Sequence, residues 1–466
     1  MVGGHKFSSG KVACLCWVLS ILFDAVHSSN SSLVGALERL VDPERIVEQL
    51  NELATFSDVP SPAVTRILFS KSDMDGRDYI MKLMKEAGLK VRSDSMGNIF
   101  GRWEGSKPDA PAILTGSHTD AIPLSGTYDG TVGVIGPIHA IKALKAAGFR
   151  PVHPIEVVMF TSEEPTRFQI SCVGSRGLSG AISAELLESK RDGDGLTFLD
   201  AANGAGYGGR DHGDILLKAA LDPRSIASFI ELHIEQGPLL EEAGIDVGVV
   251  TAIAAPATIK ASFVGDGGHA GALLMDQRND AGLAAAELSL NVEAAVLATN
   301  SIDTVGTTGK IEIKPNAVNS VPREAHVEID IRDIDVDRRD GVVSEVLDSI
   351  KEIATERKVR HSFEVVNQDP PASCSMPVMS ALTESIHDLK LSSMELVSRA
   401  YHDSLFMSKI APTGMIFIPC RGGISHTPEE YASPDAIGKG VRVLALSLAK
   451  IALNTPEDGS EAKTEL

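Results

Sequence analysis

Apolar and polar positions follow two different patterns along this chain, and the change of pattern divides it. Between residues 112 and 234 three apolar runs stop at polar groups. AILTGSH halts at His118, IEVVMF runs into TSEE at 161–164, and SIASFIELHIEQ carries His233 near its end. Unbroken apolar runs of this length read as strands buried on both faces. Between the first two, GVIGPIHAIKALKAAGF has helical periodicity, so the unit reads strand–helix–strand. In sheets built from such units, polar groups at the carboxyl ends of neighbouring strands converge on one crevice.

Upstream, 33–56 reads as helix around Pro43, and SDMDGRDYIMKLMKEAG at 72–88 as a helix with an acidic start and a glycine stop. LKVRSDSMGNIFGRWEG reads as a hairpin turning at Met96–Asn98. Beyond TSEE, GSRGLSGAISAELLESK opens a further helix, and the Gly- and Asp-rich stretch 191–213 reads as a surface loop. After about residue 245 the pattern changes. TAIAAPATIKASFVGD, DTVGTTGKIEI, AHVEIDIRDID and VRHSFEVVNQDPP read as strands, and the long helices AGLAAAELSLNVEAAVLATN and DGVVSEVLDSIKEIATERK fall between them. That β-α-β-β-α-β order is the split βαβ, ferredoxin-like sandwich, complete in itself. The expected architecture is α/β. A mixed-sheet catalytic domain over 30–245 resumes at 371–460, with 246–370 inserted as a lid or dimerisation domain. The resumed part holds the strand MIFIPC, the loop RGGISHTPEEY and a closing helix from Pro434.

At 466 residues the chain exceeds what one core usually serves. Its formal net charge of −20 argues against nucleic acid, which needs clustered Lys and Arg, and equally against an anionic membrane surface. The first residues stand apart. Lys6 and Lys11 precede VACLCWVLSILF, and small polar residues follow near Ser28, the form of a secretory signal peptide over 1–29; the alternative is an uncleaved anchor, for which the apolar run is short of the roughly 20 residues a span needs. No later segment looks transmembrane. The expectation is therefore a mature chain free of the membrane after cleavage, in the secretory pathway and most naturally the endoplasmic reticulum lumen. The terminal KTEL loosely resembles a retention tetrapeptide. Cys14 and Cys16 leave with the signal. Cys172, Cys374 and Cys420 cannot build a disulfide framework and read as buried thiols.

Chemistry concentrates on His118, Asp129, Glu163, Glu164, His233 and His426. Two adjacent glutamates at the end of a buried strand would repel unless a cation offset them. Imidazoles with carboxylates form a mixed nitrogen and oxygen donor set, suited to Mn²⁺ or Zn²⁺ rather than to soft metals. Asp120, two residues beyond His118, is placed to orient its ring. The whole reads as a two-metal hydrolytic site.

H-x-D, then D-G, then E-E, then a fourth ligand and a late His resembles the M20-type metallopeptidase and amidohydrolase superfamily. ELHIEQGPLLE, with His in the fourth position, is similar to the branch that hydrolyses ureido compounds and N-carbamoyl amino acids. YDGTVGV, TSEEPTRFQISCVGSRGLSG, GGHAG, RAYHDSLFM and FIPCRGGISHTPEEY are most similar, within it, to members acting on (S)-ureidoglycolate in purine breakdown. The resemblance covers about 30–455. It implies two Mn²⁺ (or Zn²⁺) bridged by Asp129, with His118 and His233 completing one site and Glu164 and His426 the other. It implies Glu163 as the general base, contacting substrate, and Gln236 as a hydrogen-bond partner of the ureido group. Products would be glyoxylate, ammonia and CO₂; allantoate and N-carbamoyl-L-amino acids are the alternative substrates. An inactive relative that only binds a ligand should have lost a metal ligand or the base, yet all these positions are filled.

From the inserted domain the resemblance implies His269 as an oxyanion stabiliser reaching a partner subunit, which makes a homodimer through the lid domain part of the expectation. It also implies substrate contacts from Asn319, Arg332, Tyr401 and His402. The Arg332 guanidinium would take the substrate carboxylate through two parallel hydrogen bonds. The alternative is an arginine on the strand surface paired with Asp333 or Asp335.

Overall fold

The computed structural model describes residues 32–453. The expected signal over 1–29, with Cys14 and Cys16, and the terminal KTEL lie outside the described residues. The chain forms two compact units. The first comprises the described residues up to Val249, Met376–Met394, and those from Ile410 on; the second comprises Val250–Ser375 and Glu395–Lys409.

In the first unit the three apolar runs are strands, Ala112–His118, Ile155–Phe160 and Ile226–Ile234, and almost every residue in them is buried. MIFIPC contributes to a fourth, Thr413–Ile418, buried throughout. Strands apolar on both faces need cover on both. The helices Val132–Ala146 and Pro434–Leu453 pack against this sheet and against each other. In spatial order the strands are Thr413–Ile418, Ile226–Ile234, Ala112–His118, Ile155–Phe160, Ile99–Trp103 and Lys90–Ser93. The first four run parallel, and the last two form the antiparallel hairpin that makes the sheet mixed. Asp94 shapes that hairpin's turn, its carboxylate accepting from the backbone N–H of Met96 and of Asn98, both at 2.9 Å.

Local expectations fail in four places. The stretch 191–213 is not all loop, because Phe198–Gly204 is a helix. It is opened by a capping box in which Thr197 and Asp200 exchange side-chain and backbone bonds. The helix expected after TSEE is two, Val173–Ser179 and Ala184–Ser189, since Gly180 at φ 70° closes the first and Ser183 caps the second. The strand expected over TAIAAPATIKASFVGD is also two, Val247–Ile253 and Ala255–Val264. Val64–Arg66 pairs antiparallel with Ala121–Ser125, a small sheet that neither segment's pattern announces.

The second unit has the βαββαβ order. Its sheet runs Val305–Lys314, Glu324–Asp333, Ala255–Val264, Arg360–Gln368, antiparallel throughout. Glu324–Asp333 alternates buried and half-buried residue by residue, so one face meets a core and the other faces out. Helices Ala281–Ala298 and Val336–Glu356 close the buried face, with Ala284, Leu288, Val292, Val346 and Ile350 packed on Ile259, Phe263, Val327 and Ile329. Glu395–Lys409, expected in the resumed first domain, belongs with this unit. Its ties are side-chain bonds between distant residues: Arg399 to Asp303, Tyr401 to Asp369, and Arg332 to the Arg399 carbonyl. None of these is visible as a local pattern.

Candidate functional site

The parallel registers bring three strand ends together. His118 lies beside Phe160 of the next strand, with Glu163 and Glu164 just beyond; on its other side the Ile226–Ile234 strand ends one residue after His233. Gly130 follows Asp129 at φ 65°. A Cβ there would sit 2.3 Å from His118 Nε2, so only glycine leaves room for that ring to face the aspartate.

Asp129 is the hub. His233 Nε2 lies 3.1 Å and His118 Nε2 3.7 Å from its Oδ1, while His426 Nε2 lies 3.0 Å from its Oδ2 and 3.3 Å from Glu164 Oε1. Two triads follow, His118–Asp129–His233 and Asp129–Glu164–His426, sharing the aspartate, and each offers ligand atoms within 4.8 Å of one another. Donors about 2.1 Å from one cation stand roughly 3.4 Å apart in a tetrahedron. The ring-to-carboxylate distances are of that size.

Ring orientation supports the same reading. His118 Nδ1 sits 3.1 Å from the Asp120 carbonyl oxygen and His233 Nδ1 2.8 Å from that of Ile234. A nitrogen facing a carbonyl must donate, which leaves the Nε2 lone pair of each ring turned toward Asp129. The expectation for Asp120 is corrected in detail. Its carboxylate is 3.7 Å from His118 Nδ1, beyond a hydrogen bond, and the ring is held by its carbonyl instead. The carboxylate accepts the backbone N–H of Glu163 at 3.2 Å and of Glu164 at 3.1 Å. Asp120 thus sets the turn that presents both glutamates.

Charges in this crevice are far from their ordinary state. Burial raises Glu164 to about 7, reinforced by Asp129. The bond to Asp129 lifts His426 to about 9. Burial opposes a proton on His118, but Asp129, Glu163 and Asp120 outweigh it and hold its pKa well above the usual imidazole value. Burial also opposes charge on Asp129, and its bonds to His118, His233 and His426 reverse that and keep it ionised. A buried, acid-rich donor set that retains protons this firmly is one a divalent cation would satisfy by displacing them. Gln236 adds a second sign of a polar ligand. Its Nε2 donates to Asp129 Oδ2 at 2.9 Å, while its Oε1 is buried without a partner. The residues therefore fit a pair of divalent cations.

Glu163 belongs to neither triad. Its Oε2 lies 3.8 Å from His118 Nε2, and its Oε1 accepts from the Cys172 thiol at 3.4 Å. The backbone around the site is strained: Ser162, Cys172, Gln236 and His426 all sit at φ between 54° and 60°, a region that costs side-chain-bearing residues roughly 1–2 kcal/mol. Cys172, Cys374 and Cys420 are buried free thiols, as expected. One participant went unread in the sequence: Glu430, whose carboxylate accepts from the backbone of Tyr128, Asp129 and His426 and from Ser425. The only local hint is the Glu429–Glu430 pair behind His426.

The remaining expected site residues are in the second unit. His269 is exposed on a short strand paired with Ser320–Val321, and its Nδ1 accepts from the Gly271 N–H at 3.1 Å, which leaves Nε2–H as an outward donor. Asn319 is exposed, its carbonyl accepting from Ala270 N–H. Tyr401 bonds Asp369, and buried His402 meets Ser398 Oγ at 2.9 Å. Arg332 pairs with neither Asp333 nor Asp335. Asp333 is taken by Arg338, and Asp335 caps the following helix. The guanidinium instead forks onto Asp330, on the same strand face, at 2.7 and 3.2 Å.

Residues 114–450 match the peptidase family M20/M25/M40. The chain is similar to ureidoglycolate hydrolase of Arabidopsis thaliana, 54% identical over 419 residues that cover 89% of this chain and 87% of the relative. It is also similar to N-carbamoyl-L-amino acid amidohydrolase of Geobacillus stearothermophilus, 36% identical over 87% of this chain and 97% of that one. The crystal structure of AtUAH in complex with (S)-hydroxyglycine superposes with a TM-score of 0.83 at 53% identity, over 91% of this chain and 100% of that one.

Proposed function

The chain belongs to the peptidase M20/M25/M40 family and is an enzyme acting on ureido C–N bonds, and we propose that its substrate is (S)-ureidoglycolate, converted with two Mn²⁺ to glyoxylate, ammonia and CO₂. The observation that carries this reading is the pair of triads joined at Asp129, in a chain 54% identical to a ureidoglycolate hydrolase. Zn²⁺ suits the same donors.

Two divalent cations held by His118–Asp129–His233 and Asp129–Glu164–His426 would polarise the ureido carbonyl and acidify the attacking water. Every other step falls to the chain. Glu163, beside His118 but outside both triads, takes the proton from water as it adds to the carbonyl carbon. It then returns that proton to the nitrogen as the C–N bond breaks. The Cys172 thiol and the Asp120-held turn fix its carboxylate for both transfers. Gln236 Oε1, unpartnered and buried, is suited to accept a ureido N–H. The carbamate fragment falls apart to CO₂ and ammonia, and the carbinolamine that remains expels ammonia to leave glyoxylate.

The inserted unit is proposed as lid and dimerisation domain. Arg332 would exchange Asp330 for the substrate carboxylate, and His269 would offer its Nε2–H to the developing oxyanion of a partner subunit. Asn319, Tyr401 and His402 are proposed as further substrate contacts. Support for a homodimer comes from helix Ala281–Ala298, where Leu283, Leu290 and Leu297 recur at heptad spacing and are 45%, 65% and 70% exposed. Among the described residues, the neighbouring strand Val305–Lys314 is paired along one edge only. The apolar run after Lys11 supports entry to the secretory pathway, with the endoplasmic reticulum lumen proposed as the compartment.

The test is metal analysis of the purified protein together with kcat/KM on (S)-ureidoglycolate, allantoate and an N-carbamoyl-L-amino acid. About two Mn²⁺ per chain and the highest kcat/KM on ureidoglycolate are expected. A larger value for allantoate would overturn the substrate.

A further inference from the structure

We propose that Glu430 is a positioning residue that locks the two halves of the dinuclear site together, an inference that rests on the dinuclear reading of the site. Glu430 is 5% exposed and supplies no ligand atom to either triad. Oε1 accepts the backbone N–H of Tyr128 at 2.7 Å and of Asp129 at 3.0 Å. Oε2 accepts the Ser425 hydroxyl at 2.8 Å and the His426 N–H at 3.3 Å. One oxygen thus holds the loop that carries the shared aspartate, and the other holds the loop that carries His426. These loops are far apart in the chain, Tyr128 lying 302 residues before Glu430, so their separation is set by the span of a single carboxylate.

Two further features make sense only with that carboxylate in place. His426 sits at φ 60°, a left-handed conformation that a residue with a side chain keeps only when its surroundings hold it, and Glu430 holds its N–H. Gly126, just before the Asp129 loop, has no room for a side chain. A Cβ there would lie 2.4 Å from both Cβ and Oε1 of Glu430. The space the glycine vacates is the seat of the carboxylate.

The chemistry of the clamp dictates an asymmetric response to Glu430→Gln. An amide keeps one acceptor and turns the other oxygen into a donor. The retained oxygen belongs with Tyr128 and Asp129, where two N–H groups would otherwise face an NH₂. The NH₂ end then meets Ser425 Oγ, which can accept, and the His426 N–H, which cannot. The His118–Asp129–His233 triad should stay intact, while Asp129–Glu164–His426 loosens.

The experiment is calorimetric titration of Mn²⁺ into chelator-stripped full-length protein. Wild type should take up two cations tightly. Glu430→Gln should keep one of these and bind the other about 10- to 100-fold more weakly, with kcat recovering as Mn²⁺ is raised in the same proportion. A purely structural role would lower the melting temperature and weaken both cations alike, and that result, or two unchanged affinities, overturns the proposal. Should Glu430→Gln fail to melt cooperatively, Ser425→Ala removes one arm of the clamp. The second cation should then weaken several-fold, and unchanged binding of both overturns the inference. Wild type binding fewer than two cations would instead overturn the dinuclear reading itself.

Discussion

The strand Ile155–Phe160 is buried along its whole length and hands Glu163 and Glu164 to a crevice where burial raises Glu164 to about 7. The strand Glu324–Asp333 alternates buried and half-buried positions, and its charged side chains find partners close by: Arg332 forks onto Asp330. The first strand leads into adjacent charges and the second carries alternating ones, yet one set is held under electrostatic stress and the other pairs on its own strand. The difference is cover. The first sheet's apolar strands are buried along their length, so their polar groups must meet one another, Glu156 with Arg102 and Ser117 with Glu231 within the sheet and the ligand set beyond the strand ends. The second sheet leaves a face open, so its charges pair locally and are screened by water. Stress at the first site is what a pair of cations would relieve, and the second unit's quiet ion pairs are what a substrate carboxylate would have to displace.

The sharpest way to break this contrast is at its hub. Asp129→Asn removes the charge shared by both triads, and we expect cation content to fall well below two per chain, with activity down by at least about 10⁴-fold. Metal analysis beside the kinetic assay reads both; full activity with unchanged metal content would contradict the shared role. Glu163→Gln separates stress from binding. Loss of a general base costs about 10²–10⁴-fold in kcat, while cation content should stay near two because Glu163 belongs to neither triad.

Stability against pH offers a third comparison, away from the crevice. Burial pushes His139 in the first unit down from the ordinary 6.5 to about 4, with its Nε2 at 2.6 Å from Gln49 Oε1. Between those values the unfolded chain takes up a proton that the folded chain refuses. The contribution is therefore complete above pH 6.5 and is lost as pH falls toward 4, by about 3 kcal/mol in all. Urea midpoints at pH 7 and pH 4.5 should converge for His139→Phe relative to wild type. Parallel losses in both proteins would contradict the assignment. The smallest expected effect lies in the second unit. Arg332→Gln should lower kcat/KM for a carboxylate substrate by about 10- to 100-fold, the worth of one charge-assisted pair, and leave cation content untouched. An unchanged kcat/KM would mean that the fork stays on Asp330 throughout.

Much of this was legible beforehand because the signals are local. Apolar runs marked the buried strands, alternation marked the half-buried ones, and the pattern changes after about residue 245, five residues before the second compact unit opens at Val250. Where capping chemistry decided, reading the period alone missed it. The helix Phe198–Gly204 hides in a Gly- and Asp-rich stretch but announces itself by Thr197 and Asp200. The pair Val64–Arg66 and Ala121–Ser125 is too short to have a period at all.

The amino-acid sequence by itself determined which groups could serve as ligands and base, since residue type and strand-end position are local properties and the parallel sheet brings such ends together. Only the tertiary structure decided how those groups are held. The Asp120 carboxylate grips the backbone of Glu163 and Glu164 while its carbonyl holds the His118 ring, and Glu430 joins its own loop to Tyr128, 302 residues away in the chain. Each of those choices depends on hydrogen-bond distances of about 3 Å between groups remote in sequence or offset by a turn, and no spacing along a chain encodes a distance of that kind.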